Sequence, residues 1–145
     1  MTIKEEQIMG CPDCGHRQTA EFYQSISVKE DPGLKEKLLS GMLNIFVCEE
    51  CGKKSMIDLV FLYHDMDKRF CVQYCPYDHV LQQNKILSDM YTVEGKLRIP
   101  ENIQLPEITR YMYEPHIVLS LDEMIRYVRF RDMLFDKMAV GEVMH

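Results

Sequence analysis

Four cysteines constrain this chain more than any of its other residues. Cys11 and Cys14 stand in CPDCG (11–15), and Cys48 and Cys51 stand in CEECG (48–52). A two-residue gap lets one tight turn present two sulfurs to a single ion, and four thiolates suit the tetrahedral, soft-ligand preference of Zn²⁺. Each second cysteine is followed at once by glycine, which takes a positive φ at no steric cost and so fits such a turn. The repeated arrangement points to a structural Cys₄ site for zinc, or for iron in its place. A closed set of four protein ligands leaves no open coordination position, which favours scaffolding over catalysis.

Two other readings of these cysteines are weaker. A disulfide framework needs a secreted context, and MTIKEEQIMG has neither an apolar run nor a small-residue cleavage site, so no signal peptide is expected. A redox Cys-x-x-Cys pair opens a helix within a βαβ unit, whereas both pairs here are flanked by strand-like sequence. Cys71 and Cys75, in RFCVQYC, are a separate group. Four positions apart in a strand they share a face, and with His79 they suggest a second metal site. The simpler reading is a pair of small, buried apolar side chains.

A length of 145 residues fits one domain, or a small zinc domain with an appendage. No apolar stretch approaches the roughly 20 residues needed to span a bilayer, so a cytoplasmic protein with no membrane partner is expected. The formal charge is −6, from 17 basic against 23 acidic residues. Nucleic-acid affinity comes largely from phosphate neutralisation by clustered lysine and arginine. The acidic balance therefore argues against general nucleic-acid binding, with Lys53-Lys54 and Lys68-Arg69 as the candidate basic patches.

Along the chain, residues 16–28 read as a strand leaving the first knuckle, with Ala20, Phe22, Ile26 and Val28 on one face and Gln24 out of pattern. Asp31 and Pro32 suit the N-cap and first position of a helix, and Gly41 suits its C-terminal cap. Cys48 lies 34 positions after Cys14, against the roughly 15–20 residues of a simple ribbon; the inserted helix accounts for the excess. MLNIFV (42–47) and SMIDLVFLY (55–63) read as strands on either side of the second knuckle, the latter buried on both faces. HDMD (64–67) reads as a turn and KRFCVQY (68–74) as the return strand. From Asp78 the pattern changes: residues 79–91 resemble a helix, and 92–119 read as short extended pieces, with LRI (97–99) and HIVL (116–119) as strand candidates. Ser120 and Glu123 form a capping box. The helix they open is expected to reach about Lys137, with Leu121, Met124, Ile125, Val128, Phe135 and Met138 on an apolar stripe widened by Tyr127, Phe130 and Leu134.

CPDCG, then SISV (25–28), DPGLKEKLLSGMLNIFVCEECG (31–52) and FLYHDMDKRFCVQYCP (61–76), in that order, resemble the bacterial CpXC family. HIVLSLDEMIRYVRFRD (116–132) is similar to the start of that family's C-terminal helix, while 78–115 carries no such resemblance. The resemblance implies that the four cysteines act together as metal ligands. It implies no substrate.

Candidate catalytic groups are sparse. His16 follows Cys14 closely, but four cysteines already fill a tetrahedron. His64, Asp65 and Asp67 cluster in the proposed turn, where aspartate is also an ordinary turn residue. His79, His116 and His145 have no partner pattern. No P-loop, Gly-x-Ser-x-Gly or His-Glu-x-x-His motif is present.

The expected architecture is α+β. A zinc-ribbon sheet module with an inserted helix (1–77) is followed by a mixed C-terminal extension (78–145) that ends in a long amphipathic helix. The expected function is that of a zinc-binding protein whose metal ligands are Cys11, Cys14, Cys48 and Cys51, acting through a protein partner or as a homodimer. A nucleic-acid-associated zinc ribbon is one alternative. A metal-dependent hydrolase or redox enzyme using His64 and Asp65, or Cys71 and Cys75, is another. Ile125 and Val128 are expected to be buried, against the zinc module or against a second copy.

Overall fold

The computed structural model describes residues 2–57, 59–78, 85–99, 104 and 106–144. Within these, the chain is a mixed α/β protein built on a five-stranded sheet, with a separate two-stranded sheet beside it. β1 (Ile3–Gly10) and β2 (Arg17–Ser27) form an antiparallel hairpin, joined at its tip by the first cysteine knuckle. Helix α1 (Pro32–Leu39) follows, and then the short antiparallel pair β3 (Ile45–Val47) and β4 (Lys54–Met56), with the second knuckle between them. The chain returns to the main sheet as β5 (Phe61–Asp65), parallel to β2, and turns into β6 (Phe70–Tyr74). A short helix α2 (Lys85–Met90) and a 3₁₀ helix (Glu107–Tyr113) lead to β7 (His116–Val118), parallel to β6. Helix α3 (Leu121–Met144) closes the chain.

One face of the sheet carries the main core. Ile26, Phe61, Tyr63, Phe70, Val72, Tyr74 and Val118 pack there against Leu34 and Leu38 of α1 and Met124 and Val128 of α3. Burial of each such side chain contributes roughly 1.5–3 kcal/mol. Val128 is therefore buried as expected, against the main sheet, and Ile125 packs half-buried on the same cluster. The anticipated face of β2 also holds: Phe22 and Ile26 are buried, Ala20 and Val28 half-buried and Gln24 exposed. All of β6 is buried, with Cys71 and Gln73 on the face away from the helices.

The caps act locally. Ser120 Oγ accepts the Glu123 amide at 3.1 Å. Gly41, at φ 75°, lets its own amide reach the Leu38 carbonyl and the Met42 amide reach that of Lys37 at 2.8 Å, a Schellman ending. Asp31 precedes α1, but its carboxylate makes no cap hydrogen bond.

Several expectations are corrected. SMIDLVFLY is two strands, not one: the Ile57 amide bonds to the Asn44 carbonyl and closes the small sheet, and the chain then crosses to the main sheet as β5. MLNIFV is extended as a strand only from Ile45, because Asn44 turns left-handed at φ 55°. The turn lies at 66–69, so His64 and Asp65 belong to β5. Of LRI, only Leu97 pairs, in a single bridge to Tyr91. The helix expected over 79–91 is described for Lys85–Met90 only; His79 and His145, and the side chain of Met138, lie outside the described residues. β1 and the 3₁₀ helix are elements that the sequence pattern did not signal.

Candidate metal centre

The two knuckles are near copies of one another. In the first, the Cys11 amide donates to the His16 carbonyl at 2.8 Å and the Gly15 amide to the Cys11 carbonyl at 3.0 Å. In the second, the Cys48 amide donates to the Lys53 carbonyl and the Gly52 amide to the Cys48 carbonyl, both at 2.9 Å. Gly15 and Gly52 sit at φ 76° and 75° with open space around each. Only the backbone conformation demands glycine there, and any other residue would pay about 1–2 kcal/mol of left-handed strain.

These turns bring the four thiols together. Cys11 Sγ lies 3.6 Å from Cys51 Sγ, Cys14 Sγ lies 3.5 Å from Cys48 Sγ, and all four sulfurs lie within 4.8 Å of one another. A tetrahedral ion with metal–sulfur bonds of about 2.3 Å needs sulfurs about 3.8 Å apart. The cluster fits one ion. Cys11 and Cys48 are buried, while Cys14 and Cys51 face solvent.

Proton affinity is divided unequally among the thiols. The amides of Cys14 and Asp13 draw the Cys11 thiol down to about 6, which favours its thiolate at neutral pH. The His16 amide pulls Cys14 the same way, but the neighbouring Cys48 thiol and burial outweigh it and push Cys14 up to about 12. A cation that replaces the shared protons removes this conflict, so metal binding releases protons.

Two side-chain amides that sequence reasoning passed over hold the knuckles in register. Gln18 of β2 donates from Nε2 to the Val47 carbonyl at 2.9 Å and accepts the Glu49 amide on Oε1 at 2.8 Å. Asn44 accepts the Tyr23 amide at 2.8 Å and donates to the Tyr23 carbonyl at 3.1 Å. Each amide stands in for a missing strand neighbour and ties the small sheet to β2. An ion pair adds to this, Lys53 Nζ meeting Asp13 at 2.9 Å, and His16 Nε2 lies 3.9 Å from Glu49. His16 is thus beside the cluster and outside the group of four sulfurs.

The remaining candidates do not converge. His64 is buried and its Nε2 hydrogen-bonds the Tyr111 hydroxyl at 2.7 Å; burial lowers its proton affinity. Asp65, the next residue along β5, accepts the Lys68 amide at 3.0 Å and so caps the turn. Neighbours on a strand face opposite ways. Cys71 and Cys75 are four positions apart on extended backbone, about 13 Å by strand rise, and burial pushes their thiols up to about 12 and about 11. That is the state of inert core cysteines. Among the described residues, the four-cysteine cluster is the one group of histidine, cysteine and carboxylate side chains that could hold a metal ion, and no helix is long and apolar enough to cross a membrane.

No curated protein and no solved structure matches the chain. The family model of the CpXC protein matches residues 9–142, which takes in the middle segment where the sequence motifs offered no resemblance. With the paired knuckles and the stretch between them all inside that match, the chain belongs to the CpXC family.

Proposed function

We propose that this is a zinc protein whose Cys11, Cys14, Cys48 and Cys51 hold one structural Zn²⁺, and that it works by contact with other proteins. The observation that carries the metal reading is the closed set of four sulfurs at tetrahedral spacing. All-sulfur, four-coordinate sites are characteristic of structural zinc. Support for the contact reading comes from α3, whose later turns expose Phe130, Met133, Leu134 and Phe135, at 48, 42, 37 and 48 %. Phe130 and Leu134, one turn apart, share a face, and exposed apolar residues grouped in this way favour association. Lys53, half of one candidate basic patch, is committed to Asp13, which weighs against nucleic acid.

Metal analysis of the purified chain is expected to give one zinc per chain, and Cys48→Ser to lose it. Full zinc retention in that variant would overturn the ligand set. For the contact reading, wild type and Phe130→Asp/Leu134→Asp are compared by sedimentation and by capture from native cells. The variant is expected to lose a partner or a dimer while its melting temperature holds. Identical mass and identical captured proteins would reject this face as the contact surface.

A further inference from the structure

A second feature lies away from the cysteines, where the β5–β6 turn, β7, the 3₁₀ helix and α3 meet. They line an open cavity of about 270 Å³. Cys71 and Tyr111 line it, as does the His116 ring stacked on Tyr127, with centroids 3.9 Å apart and planes 11° from parallel. Arg69 and Arg131 both line it. We propose that this cavity binds a phosphate group carried on a small molecule, held between the two guanidiniums with His116 beside them.

The two arginines carry the argument. Arg131 is fixed before any ligand arrives: its Nη1 donates to the Tyr127 hydroxyl at 2.9 Å, and its guanidinium carbon lies 4.7 Å from the centre of the Phe70 ring. Orienting a planar donor fork in advance reduces the ordering cost of binding an oxyanion. Among the described residues, neither Arg131 nor Arg69 has a carboxylate at ion-pair distance. The acidic lining residue, Glu114, is instead taken by Lys96 at 3.2 Å.

Arg69 adds a second, independent sign. It closes the turn in the left-handed region, at φ 53°. Glycine or asparagine meets that requirement more cheaply. Arginine there accepts strain and, among the described residues, makes no hydrogen bond or ion pair that repays the fold. Strain of this kind gathers at ligand-binding sites. Two positive charges also match a phosphate dianion better than a single carboxylate.

The test uses the full zinc-loaded chain and inorganic phosphate as the probe, with acetate at equal ionic strength as the comparison. Calorimetric titration is expected to show saturable phosphate binding that acetate does not reproduce. Arg69→Gln is expected to weaken it about tenfold, the loss of one charge-assisted contact, while Lys54→Gln beside the second knuckle leaves it unchanged. Arg131→Gln removes packing on Phe70 as well as charge, so Arg69→Gly provides the decisive separation. It should relieve the turn and raise the melting temperature while still losing phosphate. No saturable binding, equal binding of acetate, or phosphate affinity unchanged in both Arg69 variants would overturn the proposal. None of these outcomes bears on the cysteine cluster.

Discussion

Tyr63 is fully buried, and its hydroxyl has no hydrogen-bond partner among the described residues. An unsatisfied buried hydroxyl costs about 1–3 kcal/mol. Tyr63→Phe keeps the ring against Phe70 and removes the orphan, so it should leave stability unchanged or raise it by about 1 kcal/mol; a clear loss in denaturant melts would mean that the hydroxyl has a partner. His64 gives a pH effect whose sign follows from burial. Its folded-state proton affinity is lowered, so below about pH 6.5 the unfolded chain takes up a proton that the folded chain refuses. Stability should fall as pH drops through that value and continue falling until the folded form also titrates. His64→Gln should flatten this part of the profile, and an unchanged slope would show that other groups set it. At this scale the four cysteines were legible because each pair is local in sequence and their chemistry admits few uses. Gln18 and Asn44 were not, because their partners lie 21 to 31 positions away and nothing in a lone glutamine or asparagine announces a distant backbone.

Elements were read where one face is apolar and lost where neither is. α1 and α3 came through because Leu34 with Leu38, and Met124 with Val128, are one turn apart and both buried, and because Ser120 and Gly41 mark real ends. β1 left no trace: Lys4, Glu6, Gln7 and Ile8 are all exposed, and the strand is held by its backbone ladder to β2. The break between β4 and β5 was hidden because two strands from different sheets adjoin in one apolar run. Gln18 supplies an element-scale prediction. Gln18→Ala removes two hydrogen bonds that dock the second knuckle on β2, worth together about 1–3 kcal/mol. Supports of this kind typically govern metal affinity by 10–100-fold. The variant should therefore bind zinc at least about tenfold more weakly in a chelator competition, and equal affinity would show that the cysteines need no such docking. Asp132 of α3 ties α1 and the β5–β6 turn to that helix, meeting Lys35 at 2.8 Å and Lys68 at 2.7 Å. Burial alone would raise its carboxyl, but the two lysines outweigh that and hold it below its ordinary value. Its contribution is therefore present above about pH 4 and fades as acid protonates it.

For the molecule as a whole, the decisive fact is that there are two cores. Cys11, Cys48 and Phe46, with Met9, Ala20 and Ile57 against them, form one cluster. The main cluster between the sheet and helices α1 and α3 contains none of the four cysteines. In a small zinc module the metal supplies much of the folding free energy, and a reading of residues 1–77 as such a module would make that whole segment depend on it. The long-range pairing changes this. β7 joins β6 from far along the sequence, and α3 covers the same face as α1. That closure could not be inferred locally, since parallel pairing leaves no short-range mark. β2 runs through both regions, with Ala20 in the small cluster and Ile26 in the large one. Removing the metal should thus open β3, β4 and the knuckle end of the β1–β2 hairpin while β5, β6, β7 and the helices that cover them stay folded. Hydrogen exchange before and after chelation checks this directly. The amides of Cys11, Gly15, Cys48 and Gly52 should lose protection, while those of Val72, Tyr74, Met124 and Val128 keep theirs. Equal loss at both sets would show that the two cores unfold as one unit, with the metal sustaining the entire sheet through β2.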